Sequence, residues 1–366
     1  MQLTIFDGDE KFHNTKPIRL ITLFSGYDSQ ALSLKYLGVP FEHYRTCEWA
    51  IPSIQALKDL HFGEDSTNYS ENLTKEELVK ELTKLGISAD YNVPLSEKQI
   101  ARYSEKKVRT IYNNIKASHN LVSITNIRGE DLGITDTENH CYIMTYSFPC
   151  QDLSNAGLGK GMEKGSGTRS GLLWEVERLL TETKELPQIL LMENVKQVVG
   201  QNNIKDFAKW IEFLDGLGYN SKWQVLNAKD FGVPQNRERC FMVSVLGGGW
   251  FALPEPMRGG QKKLKDVLVN TIEEKYYLKN ATIDYFIKHT KESEEKGNGF
   301  RFSPTIGGGV RKSHNYESRG TNGRQLHYSQ LRLGHGYFKG EMKELAPTAP
   351  TIDAHIACWH FLLIEK

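Results

Sequence analysis

IRLITLFSGYDSQALSLKYLGVPFEHYRTCEWA (residues 18–50) is the stretch that decides the fold of this chain. A short apolar run ends in Ser-Gly, and the residues after it have the spacing of a helix that Gly38 closes. A second apolar run then ends at an acid, Glu48, about 20 residues after the turn. Strand, turn, helix, strand and acid in this order are typical of the opening of a doubly wound α/β sheet.

Four further apolar runs continue this pattern along the chain. They are CYIMTYSF, QILLMENV, SKWQVLNA and RCFMVSVL, and we predict helices at about 171–185 and 203–217. Alternation of strands with helices favours a mostly parallel sheet. We therefore predict an α/β domain over residues 18–248, preceded by an extension of residues 1–17.

Two regions differ from this pattern. Residues 63–120 are charged, poor in strand signals and helical in spacing, which predicts a helical insertion. Its charged faces are either solvated or, in the Lys- and Arg-rich second half, meet phosphate groups. From about residue 249 the chain is rich in Gly, Pro and basic residues, which predicts a smaller, loop-rich region over 249–345. Residues 346–366 are predicted to begin the return to the α/β domain.

The composition is that of an ordinary globular protein and leaves the partner open. The chain has 366 residues, with 46 Lys and Arg against 45 Asp and Glu and a formal net charge of +1. Five cysteines without a Cys-x-x-Cys pair predict neither a disulfide framework nor a zinc site, so we expect reduced thiols, a cytoplasmic location and no metal. The amino terminus is not typical of a signal peptide, and no apolar stretch approaches the roughly 20 residues of a membrane span.

Three polar motifs follow predicted strands at similar intervals. SFPCQDLS holds Cys150, LLMENV holds Glu193, and FGVPQNRERCFMV holds Arg237 and Arg239. Taken singly, a cysteine after proline is usually a small buried hydrophobe, the glutamate fits a helix N-terminus and NRER fits a salt-bridged turn. Together, in order and spacing, the three motifs resemble the DNA cytosine-C5 methyltransferases over residues 18–246. The longer run YSFPCQDLSNAGLGKGMEKGSGTRSGLLWEVER is similar to the branch of that family that includes a mollicute CpG methyltransferase.

The resemblance implies transfer of a methyl group from S-adenosylmethionine to C5 of a flipped-out cytosine in duplex DNA, on the class I methyltransferase fold. Cytosine C5 is a poor nucleophile, so the thiolate of Cys150 would first add to C6. Glu193 would hold or donate a proton at N3, and Arg239 with Arg237 would bind O2. Asn194 would hold the backbone around the pocket.

The resemblance also implies a cofactor site, with one departure from the family. The expected site consists of Phe24, Ser25, Gly26, Tyr27, Glu48, Trp49, Ile124 and Pro149. Where the family has Phe-x-Gly-x-Gly, this chain has Phe-Ser-Gly-Tyr-Asp-Ser-Gln, and we expect Tyr27 in the place of the second glycine. Glu48 would hold the ribose hydroxyls and Trp49 would flank the adenine. Asp131 is an alternative contact for the adenine amino group.

Residues 249–345 correspond in the family to the target-recognition region, whose side chains reach base edges or phosphates. The expected DNA-binding residues are Gln151, Ser154, Gln235, Arg301, Arg311, Lys312, Arg319 and Arg324. We expect the protein to act in a restriction-modification or DNA-protection system of a bacterial or phage-infected cell, in association with the nucleoid.

The final segment leaves several alternatives open. APTAPTIDAHIACWHFLLIEK (residues 346–366) resembles only the strand pair that precedes an Arg-x-Leu-Thr-Pro-x-Glu-like segment and a pocket-closing helix in the family. We expect a second polypeptide that supplies these motifs, a natural or engineered truncation of the chain, or a fold-back of residues 1–17 over the pocket. Other functions consistent with the sequence are a catalytically impaired DNA-binding or regulatory homologue, an RNA-modifying relative and a thiol hydrolase.

Overall fold

A six-stranded sheet organises the fold. The computed structural model describes residues 14–153, 161–233, 235–249 and 251–256, together with Lys288, Glu295 and Ile306–Gly307. These residues fall into two units, the first within Met1–Val225 and Arg239–Leu253 and the second within Leu226–Glu238 and Pro254–Cys358.

The main sheet has the strand order β2-β1-β3-β4-β7-β5. Its strands are β1 (Ile18–Leu23), β2 (Phe41–Cys47), β3 (Cys141–Tyr146), β4 (Ile189–Val195), β5 (Tyr219–Asn227) and β7 (Glu238–Leu246). β1 runs parallel to β2 and β3, and β3 runs parallel to β4. The predicted doubly wound, mostly parallel α/β fold is therefore confirmed.

Strand β7 is the exception, because it runs antiparallel to β4. The segment between β5 and β7 contains only a 3-10 turn, Ala228–Phe231, and the two-residue strand β6 (Gln235–Asn236). A parallel crossover needs a dozen or more residues and usually a helix, which this segment lacks. Strand β6 pairs in parallel with β8 (Ile306–Gly307) in the second unit.

Seven α-helices are described. They are α1 (Ser29–Tyr36), α2 (Ile51–His61), α3 (Lys75–Leu85), α4 (Glu97–Ala101), α5 (Glu105–Ala117), α6 (Leu173–Glu182) and α7 (Ile204–Gly216). Three further 3-10 turns cover Gly129–Leu132, Ser170–Leu172 and Lys196–Val199.

Helices α3 to α5 occupy the charged region between β2 and β3 and have a core of their own. The first of them begins at a capping box, in which Thr74 and Glu77 exchange side-chain to backbone hydrogen bonds. It ends at Gly86, whose φ of 78° favours glycine. The apolar faces of these helices meet in one cluster, which includes Leu78, Leu82, Val108, Ile111 and Ile115. The charged faces are thus left at the surface.

The strand ends of β1, β2 and β3 lie level with one another. Leu23, the last residue of β1, pairs with Cys47 on one side and with Tyr146 on the other. The chain leaves β1 for β2 and later returns to add β3 on the opposite side, so a topological switch point lies between β1 and β3. In open α/β sheets, ligands bind outside the carboxyl ends of the strands at such a point.

Candidate active site

The predicted catalytic and cofactor segments follow strands that end at this edge. Residues 24–28 follow β1, Glu48 follows β2, and residues 147–153 follow β3. Tyr146 pairs with Met192 in β4, which brings the end of β4 to the same edge. The side chain of Gln30 in α1 donates to the Ser147 hydroxyl at 3.2 Å, so the segments after β1 and β3 are in direct contact.

The loop that carries Cys150 is held on both sides of the thiol. The Ser170 hydroxyl donates to the Pro149 carbonyl at 2.7 Å, and the Leu153 amide donates to the Cys150 carbonyl at 3.1 Å. The Asp152 carboxylate accepts the Arg169 amide at 2.8 Å. Cys150 is half-buried, and its backbone is fixed by neighbours that our sequence analysis did not single out.

Arg169 also links this loop to the helical insertion. One guanidinium nitrogen donates to Gln151 Oε1 at 3.2 Å and the other to Asn92 Oδ1 at 2.5 Å. The side chain of Gln151 is exposed at the rim of the loop. The run GSGTRSG contains Arg169 and Ser170 and lies within the longer motif by which the chain resembles the family. Its place in that motif is the sequence feature from which both residues could have been predicted.

The other described cysteines differ from Cys150 in their surroundings. Cys47, Cys141 and Cys240 are buried in the sheet. Burial raises the pKa of Cys141 and of Cys240 to about 12, and it raises the pKa of Cys47 further still. These thiols therefore stay protonated near neutral pH, and a thiolate nucleophile is disfavoured at all three positions. Cys358 lies outside the described residues.

Glu193 and Arg239 form an ion pair at the end of β4. Glu193 Oε1 lies 3.0 Å from Arg239 Nε, and the side chains are 12% and 21% exposed. Antiparallel pairing places Val195 opposite Arg239 and Glu193 opposite Phe241, so the pair spans a diagonal of the ladder. The guanidinium supplies positive charge next to a carboxyl group that is largely shielded from water.

Asn194 joins this pair to the Cys150 loop. Its side-chain amide donates to the Phe148 carbonyl at 2.9 Å, and its Oδ1 accepts the amide of Val195 at 2.8 Å. Asn194 is 3% exposed. The fully buried amide therefore fixes the backbone two residues before Cys150, between the ends of β3 and β4.

Arg237 and Gln235 belong to the second unit. The Arg237 amide donates to Asn227 Oδ1 at 3.1 Å, and its carbonyl accepts the Ala228 amide at 3.0 Å. Gln235 lies in β6, with 7% of its surface exposed. Its Oε1 is buried and has no hydrogen-bond partner among the described residues.

Glu48 is a buried carboxyl group held by backbone amides. Gly26 N donates to Oε2 at 2.9 Å, and Ala50 N donates to Oε1 at 2.7 Å. Burial raises the pKa of Glu48 to about 7, although these hydrogen bonds oppose the rise. The backbone of Glu48 is held in turn by Asn120, which accepts from its amide at 3.0 Å and donates to its carbonyl at 2.9 Å. Asn120 was not predicted from the sequence.

The turn after β1 has left-handed backbone at alternate residues. Phe24, Gly26 and Asp28 have φ values of 55°, 58° and 57°. The expectation that Tyr27 takes the place of the second glycine is wrong, because the glycine-like conformation falls on Asp28. Aspartate tolerates this conformation better than most residues, since its short polar side chain bonds locally. Ser25 is buried, and its hydroxyl donates to the Thr22 carbonyl at 2.7 Å.

Two of the other predicted cofactor residues are at least partly buried. Trp49 packs against the core of the helical insertion. Ile124 is 6% exposed, and its carbonyl accepts a hydrogen bond from Arg178 at 2.9 Å. Asp131, the alternative contact for an adenine, is exposed and accepts the Arg128 amide of its own turn at 2.7 Å.

Most of the predicted DNA-binding residues lie outside the described residues. They are Ser154, Arg301, Arg311, Lys312, Arg319 and Arg324. Within the described ranges, no helix is long and apolar enough to cross a membrane. The same part of the chain has no cluster of three His, Cys, Asp or Glu side chains that could hold a metal ion.

Comparison with known proteins gives a consistent result. The profile of the family described as C-5 cytosine-specific DNA methylase matches residues 83–352. The chain is 36% identical over 292 residues to the orphan methyltransferase M.SssI of Spiroplasma monobiae, covering 78% of this chain and 73% of that protein. It is 35% identical over 268 residues to the type II methyltransferase M2.ScrFI of Lactococcus lactis subsp. cremoris, covering 73% and 71%.

A solved structure with a similar fold is described as a DNA modification methyltransferase encoded within a prophage of E. coli. The TM-score is 0.50 at 14% identity, with 94% of this chain and 99% of that chain covered. At this identity the likeness concerns the fold alone.

Proposed function

Because the chain belongs to the C-5 cytosine-specific DNA methylase family, we propose that Cys150, Glu193 and Arg239 are the catalytic residues of a DNA (cytosine-5)-methyltransferase. Membership makes S-adenosylmethionine the cofactor and DNA the substrate. The observation that carries the residue assignment is the Glu193–Arg239 ion pair, which lies one residue from the asparagine that holds the Cys150 loop. Covalent capture of Cys150 on fluorinated DNA tests it.

In this proposal the thiolate of Cys150 adds to C6 of a flipped-out cytosine, and the C5–C6 double bond is converted to an enamine. Glu193 takes up a proton from solvent when the base is bound and donates it to N3, so the charge that develops on the ring is neutralised. Arg239 binds O2 of the cytosine and holds Glu193 in place through the ion pair. After the new bond forms at C5, the C5 proton is lost to a base, the N3 proton returns to Glu193, and departure of the Cys150 sulfur restores the aromatic ring.

The residues at the end of β1 and β2 fit S-adenosylmethionine. A buried carboxyl group and a glycine amide lie together where parallel strands end, and no phosphate-binding loop is needed for a ligand without phosphates. S-adenosylmethionine supplies the electrophilic methyl group when it is bound. Glu48 would accept the ribose hydroxyls, Phe24 to Tyr27 would line the methionine part, and Trp49, Ile124 and Pro149 would complete the site.

For the DNA we propose that Gln151 and Ser154 contact the strand around the flipped base and that Gln235 is a further DNA contact. Arg237, the second residue of the NRER motif, would bind the base O2 with Arg239. The basic residues of the recognition region, Arg301, Arg311, Lys312, Arg319 and Arg324, would reach phosphates or base edges. A modification role beside a restriction enzyme is supported by the type II names of relatives such as M2.ScrFI. A DNA substrate would place the protein at the bacterial nucleoid.

Replacement of Glu48 by alanine is expected to weaken S-adenosylmethionine binding by about 1–3 kcal/mol, the scale of a lost charge-assisted hydrogen bond. Affinity for duplex DNA should not change, because the carboxyl group lies at the end of β2, in the cofactor site. Titration calorimetry with cofactor and fluorescence anisotropy with DNA measure the two affinities. Unchanged cofactor affinity would remove Glu48 from the site.

The affinity for S-adenosylmethionine should also rise with pH. With a pKa of about 7 in the ligand-free protein, Glu48 is mostly protonated at pH 6 and mostly ionised at pH 8. If the ribose hydroxyls bind the carboxylate, affinity increases about tenfold over this interval. Glu48→Gln should give a flat profile. A pH-independent affinity of the unaltered protein would contradict the assignment.

The stability of the ligand-free protein should fall as the pH rises, whereas the affinity for S-adenosylmethionine rises. The folded-state pKa of Glu48 is raised above its ordinary value of 4.5. Its contribution to stability is therefore complete below pH 4.5 and is lost as the pH rises through about 7. Urea unfolding of the wild type and of Glu48→Gln at pH 6 and pH 8 separates this contribution from those of other groups.

The second polypeptide expected from the sequence remains a prediction. We propose that methyl transfer by the purified chain increases when a chain with an Arg-x-Leu-Thr-Pro-x-Glu-like stretch and a terminal Asn-rich helix is added. Incorporation of labelled methyl groups into DNA measures it, and heat-denatured partner serves as the control. An unchanged rate after addition of the native partner would refute the prediction.

A further inference from the structure

A carboxylate stands where the family pattern has its second glycine, and it is fully buried. Asp28 has no exposed side-chain surface and accepts three hydrogen bonds. Ala31 N donates to Oδ1 at 3.1 Å and thereby caps α1. The hydroxyl of Thr22 donates to Oδ2 at 3.1 Å, and His43 Nε2 lies 3.0 Å from the same oxygen. Asp28 is therefore tied to β1, to β2 and to its own helix.

The charge on Asp28 depends on His43. Burial opposes ionisation of the carboxyl group, but the hydrogen bonds that it accepts, first of all from His43, outweigh burial and lower the pKa of Asp28. An ionised carboxylate only accepts hydrogen bonds, so His43 Nε2 is the donor. The His43 side chain is 8% exposed, which makes this a buried pair. Loss of either partner leaves an uncompensated polar group in the interior.

A second histidine holds the backbone next to Asp28. His61, the last residue of α2, lies with Nε2 2.8 Å from the Tyr27 carbonyl. Burial lowers the pKa of His61 to about 4, so the ring is neutral at pH 7. A carbonyl only accepts, so Nε2 carries the proton and Nδ1 is left to accept from Lys35 Nζ at 3.3 Å.

The two histidines also contact each other. The rings of His43 and His61 meet edge to face, with centroids 4.9 Å apart. The end of α2 and the middle of β2 thus hold the same turn through two neighbouring side chains. His43 binds the carboxylate of Asp28, and His61 binds the carbonyl of Tyr27, which lies between Gly26 and Asp28.

We propose that Asp28, His43 and His61 are positioning residues for cofactor binding, which hold the turn of residues 24–28 in the conformation in which the Gly26 amide fixes the carboxyl group of Glu48 for S-adenosylmethionine. The inference rests on the proposed cofactor site. A glycine at position 28 would allow the left-handed backbone but would also allow many others. The buried network selects one of them by side-chain contacts.

The proposal predicts a particular kinetic signature. The network would set the fraction of molecules whose turn is competent to bind S-adenosylmethionine. If loss of the network lowers this fraction, the apparent dissociation constant for the cofactor rises by the same factor. The KM for S-adenosylmethionine should rise, and kcat at saturating cofactor should change by less than about twofold. A purely structural role would instead lower the active fraction and the melting temperature without a selective effect on KM.

The experiment compares Asp28→Gly, His43→Leu and the double variant. Each single change should raise the KM for S-adenosylmethionine about tenfold, and the double variant should be no worse than either, because both changes act through one contact. An increase of about one hundredfold in the double variant would show independent effects and overturn the pairing. If these variants do not fold, Asp28→Asn, which keeps the helix cap and tolerates the left-handed backbone, should raise KM by about threefold.

A matched control is the Asp136–His140 pair, which has the same chemistry at 2.8 Å but is 35% and 24% exposed. Asp136→Gly and His140→Leu should leave KM unchanged. A rise in KM for Glu48→Ala but not for the Asp28 variants would overturn this inference and leave the cofactor site intact. If neither rises, the cofactor site itself is misassigned.

Discussion

Replacement of Cys150 by alanine will reduce methyl transfer by about 10⁴-fold or more, because in the proposed mechanism the Cys150 thiolate is the group that adds to C6. Serine at this position should be almost as inactive, since a hydroxyl group ionises far less readily than a thiol near neutral pH. Binding of duplex DNA should be retained, because flipping and groove contacts do not need the sulfur. Transfer of labelled methyl groups and a gel-shift titration measure the two properties.

A duplex with 5-fluorocytosine at the target should trap Cys150 covalently. Fluorine at C5 cannot leave as a cation in the final elimination, so the Sγ–C6 bond persists. Cys240→Ala is the matched control, because its thiol is buried and is kept protonated by a pKa of about 12. This variant should form the adduct, and Cys150→Ala should not. A peptide map that shows the adduct on another cysteine would end the assignment.

Replacement of Glu193 by glutamine is expected to lower kcat by about 10²–10⁴-fold, the range for loss of a positioned proton donor. The amide keeps the size of the side chain and a hydrogen bond toward Arg239, so the fold should be preserved. The KM for S-adenosylmethionine should stay within about twofold, because Glu193 lies near the end of β4 and not in the turn after β1. Steady-state kinetics at saturating DNA separates the two constants.

The control for this substitution is another glutamate that pairs with arginine across neighbouring strands. Glu42 Oε2 lies 2.8 Å from Arg19 Nε, near the opposite ends of β1 and β2. Glu42→Gln should leave kcat unchanged. If Glu193→Gln retained full activity, the proton at N3 would have to come from another group, and the ion pair with Arg239 would be a structural feature of the sheet.

Local patterns in the sequence determined the fold class and the order of the chemical motifs. Apolar runs that end at Gly26, Glu48 and Cys150 predicted strands with polar residues after them, because short-range periodicity reports which segments are strands. The predicted fold class, DNA substrate and cofactor are all confirmed by family membership. The orientation of β7 could not be deduced in the same way, since strand direction depends on a connection without a periodic signal.

Contacts between distant parts of the chain were decided only by the tertiary structure. Asn120 binds Glu48 across 72 residues, and Asn194 binds Phe148 across 46. Neither pair has a spacing that a sequence can reveal, because the contacts exist only once the strands are adjacent.

The turn after β1 shows the difference most clearly. From the sequence, we expected Tyr27 to take the place of the second glycine in the Phe-x-Gly-x-Gly motif. The structure shows that Asp28 adopts the left-handed conformation and that His43, 15 residues away, binds its carboxylate. A backbone conformation that glycine allows locally is here selected by a buried hydrogen bond between aspartate and histidine, and such a contact forms only when the folded core brings both groups together.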